Sequence, residues 1–137
     1  MDNEIRVRVI FIGPTEVGKT SLIARIVTDS FEAYTENTVM VDFKFYQYTF
    51  NNELINLALW DTAGQELYRS ITTNFFRDSR FYILVCSVED KQTLEELNYY
   101  LDLIYQNSKT GKIILLCNKI DLDKYQHQIT LNDLEEF

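Results

Sequence analysis

The chain has 137 residues, 46% hydrophobic, 25% charged and 14% aromatic, which excludes the disordered, collagen-like and coiled-coil classes and fits one globular domain. With 13 Lys and Arg against 21 Asp and Glu the formal charge is −8, so a broad basic footprint for nucleic acid or an anionic bilayer is excluded and any phosphate ligand must be held locally. No apolar run reaches the ~18 to 20 residues of a membrane span, and Met1-Asp2-Asn3-Glu4 has neither the basic start nor the apolar stretch of a signal peptide. A cytoplasmic chain is expected, with Cys86 and Cys117, each set in an apolar run, as reduced buried thiols.

Arg6 to Ile12 alternates and then turns continuously apolar up to Gly13, which predicts a strand entering the middle of a sheet. From Lys19 the spacing of Leu22, Ile23, Ile26 and Val27 predicts an amphipathic helix. Val41, Phe43 and Phe45 share one strand face, Asn51-Asn52 supplies a turn, and Ile55, Leu57 and Leu59 share a face of the returning strand, so an antiparallel hairpin is expected. Phe81 to Val88 and Ile113 to Cys117 are short runs rich in branched residues, and Leu94, Leu97, Leu101 and Ile104 between them keep helical spacing. Thr130 with Asp133, then Leu134 and Phe137, reads as a helix that has barely begun where the sequence stops. The order predicts an α/β fold: a doubly wound, mostly parallel sheet with one antiparallel edge strand and helices on both faces.

Three segments carry chemistry. Gly13-Pro14-Thr15-Glu16-Val17-Gly18-Lys19-Thr20 fits G-x-x-x-x-G-K-[ST] between a strand and a helix start. Its glycines let backbone N–H groups converge on phosphate oxygens, Lys19 neutralises the outer phosphates, and the Thr20 hydroxyl can ligate Mg²⁺. A glycine turn with an exposed lysine is the plain alternative, but such a turn needs no Lys-Thr pair. Asp61-Thr62-Ala63-Gly64-Gln65-Glu66 follows the strand ending at Leu59-Trp60, where a carboxylate faces the ligand side of an open sheet. Asp61 can therefore reach the metal, Gly64 can offer its N–H to a terminal phosphate, and Gln65 has the donor and acceptor needed to orient a water. Asn118-Lys119-Ile120-Asp121 ends the third segment. The Asp121 carboxylate can accept both the imino and amino hydrogens of guanine, a donor pair adenine lacks, while the Lys119 stem packs on the base and Asn118 braces the loop.

Together these motifs resemble the small GTPases of the Ras superfamily, P-loop NTPases of the small G-protein type, and Trp60 to Thr73 looks most like the Rab branch. The resemblance runs from Ile5 to Phe137. It implies a switch that binds GTP and GDP with Mg²⁺ and hydrolyses GTP slowly, with Gln65 and Lys19 as catalytic residues, in vesicle trafficking. Thr15, Glu16, Val17 and Ser21 complete the nucleotide loop by that similarity. It also makes Phe31 to Thr38 the first switch, with Phe31 on the guanine edge and Thr38 a second hydroxyl on Mg²⁺; a loop threonine and an anchoring aromatic are the plain readings of those two. Exchange factors, GTPase-activating proteins and effectors are the implied partners. Val39 to Phe43 resembles the Rab effector segment, with Met40 where glycine is usual, and Tyr68, Ile71, Phe75 and Phe76 suit a second switch helix or a plain core-facing one.

The departures from the family are local. Glu16 stands where glycine or serine is usual, and a carboxylate about 4 Å from the β-phosphate would repel it by roughly 1 to 4 kcal/mol unless it points into water. Leu67 replaces a familiar arginine. The family continues past this point with a further strand, an S-A-K loop and a final helix, so residues 1–137 are expected as one nucleotide-binding domain lacking its C-terminal strand and helix. Apolar sheet surface left open there would invite a dimer through the exposed edge. Residues 1–137 hold no lipid-attachment cysteine, so stable anchoring by prenyl groups is not expected of this stretch, while the resemblance implies peripheral residence on endomembranes. An interaction module that binds nucleotide without productive switching is the second reading, and a phosphate-loop kinase a remote third.

Overall fold

The computed structural model describes residues 4–29, 42–62, 77 and 79–137. Their order is β1 (Ile5–Ile12), α1 (Lys19–Thr28), β2 (Asp42–Phe50), β3 (Glu53–Asp61), β4 (Phe81–Ser87), α2 (Lys91–Asn107), β5 (Lys112–Asn118), a 3₁₀ turn (Lys124–Gln126) and α3 (Leu131–Glu136). The strands form one five-stranded sheet in the order β2-β3-β1-β4-β5. β1 pairs in parallel with β3 and β4, β4 with β5, and β2 is the antiparallel strand at one edge. The mixed α/β sheet expected from the sequence is the one observed.

Position in the sheet explains the patterning. β1 lies in the middle, and Val9, Ile10, Phe11 and Ile12 are all buried, because helices cover both of its faces. On one face Ile10, Ile12, Tyr82, Leu84 and Cys86 pack against Leu94, Leu97 and Ile104 of α2. On the other, Val9, Phe11, Leu59 and Val85 pack against Ile23 of α1 and Val17 of the loop before it. Asn51 (φ 49°) and Asn52 (φ 65°) take the left-handed conformation that a two-residue hairpin needs, and they set Phe50 opposite Glu53. The Asp90 carboxylate caps α2 by accepting from the Gln92 N–H at 3.0 Å, and Thr130 with Asp133 forms a reciprocal capping box on α3.

Two details go beyond the periodicity. Ile26, on the predicted apolar stripe of α1, is 40% exposed, since Ile23 faces the sheet and Ile26 lies on its flank. Cys86 and Cys117 sit side by side on β4 and β5 as free thiols, Cys86 fully buried and Cys117 partly so. Burial, with the neighbouring thiol second, pushes Cys86 up to about 12, so both remain thiols at physiological pH.

Candidate functional site

In an open parallel sheet, the carboxyl ends of the strands around the point where chain order reverses form the ligand-binding crevice. That point lies at β1, because the chain leaves it for β2 and β3 on one side and returns to β4 on the other. The loop after β1, the Asp61-Thr62 step after β3, Ser87 to Asp90 after β4 and Asn118 to Asp121 after β5 therefore share one edge.

Gly13 leaves β1 against β4. A Cβ there would lie 2.3 Å from the Val85 carbonyl oxygen, so only glycine lets the strands pack this closely. Val17 is fully buried in the α1-side core and anchors the middle of the loop. Gly18 (φ 100°) turns the chain into α1, and a Cβ there would lie 2.3 Å from the Asn118 side-chain nitrogen. Lys19, 6% exposed, folds back over the loop, and its ammonium donates to the carbonyls of Gly13 and Pro14, each at 2.7 Å. Burial pulls this lysine down to about 8, against the opposing pull of the Asp61 carboxylate. The result is a cation held at the helix N-terminus and only partly compensated by the protein, an arrangement that favours an added anion.

The Thr20 hydroxyl donates to Asp61 Oδ2, so a hydroxyl and a carboxylate, both hard oxygen donors, meet beside that cation. Thr62 fixes the exit from β3: its hydroxyl donates to the Phe11 carbonyl at 2.9 Å. Thr15 and Ser21 are half-buried, whereas Glu16 (φ 66°) is exposed.

The Asn118 to Asp121 loop is tied to the phosphate loop across the top of the sheet. Asn118 Nδ2 donates to the Val17 carbonyl at 2.9 Å, joining residues 101 apart in the chain. The Lys119 ammonium donates to the Glu16 carbonyl at 2.7 Å and to Glu89 Oε1 at 2.8 Å. Asp121 is exposed at the rim, inside the turn closed by the Leu122 N–H donating to the Lys119 carbonyl at 3.1 Å. Gly13, Thr15, Glu16, Val17, Gly18, Lys19, Thr20, Ser21, Asp61, Asn118, Lys119 and Asp121 are thus brought to one end of the sheet. Phe31, Thr38, Gly64 and Gln65 lie outside the described residues, as do Val39 to Val41, Leu67, Tyr68, Ile71, Phe75 and Phe76.

Sequence reasoning did not single out Glu89. Nothing in its local pattern marks it, and the available signal was its place two residues beyond a central parallel strand, where side chains face the crevice.

Comparison with known proteins agrees with this geometry. A model of the Ras family matches residues 8–137. The chain is 36% identical over 135 residues to Ras-related protein Rab-12 of Homo sapiens, covering 98% of this chain and 55% of that protein. It is 35% identical over 117 residues to Ras-related protein Rab-13 of Rattus norvegicus, covering 85% and 58% respectively. To Ras-related protein RabC of Dictyostelium discoideum it is 34% identical over 139 residues, covering 99% and 70%. The chain spans about half the length of the Rab-12 relatives it matches. With its phosphate loop, acidic strand end and Asn-Lys-x-Asp turn gathered on one sheet edge, the chain belongs to the Ras family, among its Rab-related members.

Proposed function

We propose that residues 1–137 act as one guanine-nucleotide-binding unit, a Rab-type trafficking switch that binds GDP and GTP with Mg²⁺ and hydrolyses GTP slowly. The observation that carries this reading is the convergence of three groups on one crevice: buried Lys19 under its loop, the Thr20 and Asp61 oxygens, and the Asn118 to Asp121 turn tied to that loop. In this reading the loop N–H groups and Lys19 bind the phosphates, and Asp121 accepts the paired donors of guanine. Thr20 and Asp61 fit Mg²⁺, which takes few protein oxygens and keeps water and phosphate as its other ligands, and Thr38 is added to them by the family resemblance alone. Bound there, the ion would supply positive charge to the β- and γ-phosphate oxygens. Gln65 orients the attacking water, Lys19 stabilises charge that develops on the phosphates, and no covalent intermediate is needed.

Exchange factors, GTPase-activating proteins and effectors would act through the two switch segments, Phe31 to Thr38 and the stretch after Asp61. The aromatics beside the first of these support a partner-facing surface: Phe43 is 46% and Phe45 66% exposed, and Phe43 packs on Trp60 at 4.9 Å between ring centroids. Action at the surface of endomembranes follows from the Rab reading. No helix among the described residues is long and apolar enough to cross a membrane.

The direct test is to denature the purified chain and identify the released nucleotide by chromatography. Near-stoichiometric GDP or GTP is expected; folded protein that stays empty when incubated with GDP and Mg²⁺ would overturn the reading. Single-turnover hydrolysis should then run on the order of 10⁻⁴ s⁻¹ and fall at least roughly tenfold in Gln65→Leu. Equal rates would remove Gln65 from the reaction.

The depressed lysine makes a second expectation. With Lys19 at about 8 in the nucleotide-free protein, its ammonium is charged below that pH and neutral above it. A phosphate ligand favours the charged form, so binding above pH 8 takes up a proton and affinity weakens as pH rises. GDP affinity should be flat from about pH 6.5 to 7.5 and decline by up to about tenfold per unit between pH 8 and 9. Lys19→Arg, which stays charged throughout, should show no decline over that interval. Parallel profiles for the two proteins would show that the lysine does not titrate.

A further inference from the structure

The Lys119 ammonium is the meeting point of three segments far apart in the chain. It bonds the Glu16 carbonyl, 103 residues away, and the Glu89 carboxylate, 30 residues away. Glu89 Oε1 also accepts from the Ser87 hydroxyl at 3.2 Å. These bonds, that from Lys119 foremost, hold the Glu89 carboxyl below the usual carboxylate range.

Backbone conformation makes this contact consequential. Lys119 and Glu16 both have φ of 66°, in the left-handed region, and neither is glycine. Such residues relax unless their surroundings over-determine them. The ammonium of one held on the carbonyl of the other is a constraint of that kind. Glu89 supplies the opposite charge that keeps the ammonium there, and its own backbone is anchored at the end of β4. The Val88 N–H donates to the Asn118 carbonyl at 3.0 Å, and the Gln128 N–H donates to the Val88 carbonyl at 2.7 Å. The carboxylate therefore sits on a fixed support between the two loops that it links.

We propose that Glu89 is a positioning residue of the nucleotide site: its carboxylate holds the Lys119 ammonium on the Glu16 carbonyl, fixes the spacing of the phosphate and guanine loops, and so slows nucleotide release. The effect on release rests on the guanine-nucleotide reading above; the clamp itself does not. Charge is essential to it, because a charge-assisted bond is about twice as strong as a neutral one. The side chains are 32% (Lys119) and 39% (Glu89) exposed, so salt should weaken the clamp.

The test is the dissociation rate of fluorescently labelled GDP from the full 137-residue chain and from its Glu89→Gln and Glu89→Ala variants. Release should quicken about threefold in Glu89→Gln, which keeps an acceptor, and about tenfold in Glu89→Ala. A residue that merely supports the fold would act independently of Lys119. In a Lys119→Met background, Glu89→Gln should therefore add no further acceleration. Unchanged release in both single variants, or full additivity with Lys119→Met, would overturn the proposal. Hydrogen exchange of the nucleotide-free chain provides a measurement that needs no ligand. In Glu89→Gln, amides of residues 15–18 and 118–122 should exchange at least about threefold faster, and identical exchange in both loops would equally overturn the clamp. A chain that binds no GDP yet shows this coupled exchange would keep the clamp and reject the guanine-nucleotide reading.

Discussion

Replacing Lys19 by methionine is expected to lower GDP affinity by about thirtyfold to several thousandfold, because truncating a buried, hydrogen-bonded charge partner costs roughly 2 to 5 kcal/mol and each 1.36 kcal/mol is tenfold. Methionine fills a similar volume but donates nothing to the Gly13 and Pro14 carbonyls, which now each receive a bond at 2.7 Å. The nucleotide-free fold should respond far less. Burial works against the ammonium, as its displacement to about 8 records, so removing the charge also removes a desolvation cost that offsets the lost hydrogen bonds. Calorimetric titration with GDP and a melting curve on the same sample separate the two effects. A collapse in affinity with a melting point within a few degrees of the parent is the expected pair. Near-parental affinity would take Lys19 out of phosphate binding, and a large fall in melting point would make it a scaffold residue.

Gly13→Ala should act through the fold. The added methyl would sit 2.3 Å from the Val85 carbonyl oxygen and 3.3 Å from its carbon, and backbone in a central strand cannot rotate aside as a side chain would. β1 and β4 would have to part where Ile12 stands opposite Leu84. Overpacking of this kind costs typically 1–3 kcal/mol, which for a domain of this size lowers the melting temperature by on the order of 5 to 10 °C. The displacement falls on the residue whose carbonyl holds Lys19, so nucleotide retention should drop with stability. Differential scanning calorimetry of the nucleotide-free proteins decides it. An unchanged melting temperature would mean that the strands separate at no cost and that the glycine is there for another reason.

Both expectations concern residues whose types were legible in the sequence, while the contacts that make them matter were not. The run from Val9 to Ile12 announced a strand covered on both faces, and Leu94, Leu97, Leu101 and Ile104 a helix with one apolar side, because periodicity records which side of an element is hidden from water. The Asn51-Asn52 turn was equally plain, since few residues accept positive φ at two consecutive positions. Spacing likewise places Lys19 at a helix start and Asp61 and Asn118 at strand ends.

Periodicity does not say what lies opposite a hidden side. Ile26 shares the helical spacing of Ile23 yet stands 40% exposed, and Phe43 and Phe45 share a strand face that an edge position leaves open, because sheet order rather than local pattern decides which face is covered. The binding of Asn118 to Val17 and of Lys119 to Glu16 and Glu89 depends on the same order. β1, β4 and β5 bring their carboxyl ends together only after crossover connections have been made, and a hydrogen bond spanning 101 residues leaves no periodic trace in the chain. Local pattern and spacing carry the elements, the family and the types of groups available to a nucleotide. That Glu89 joins them emerges on folding, because a carboxylate acquires that role from the ammonium within its reach rather than from its neighbours in the chain.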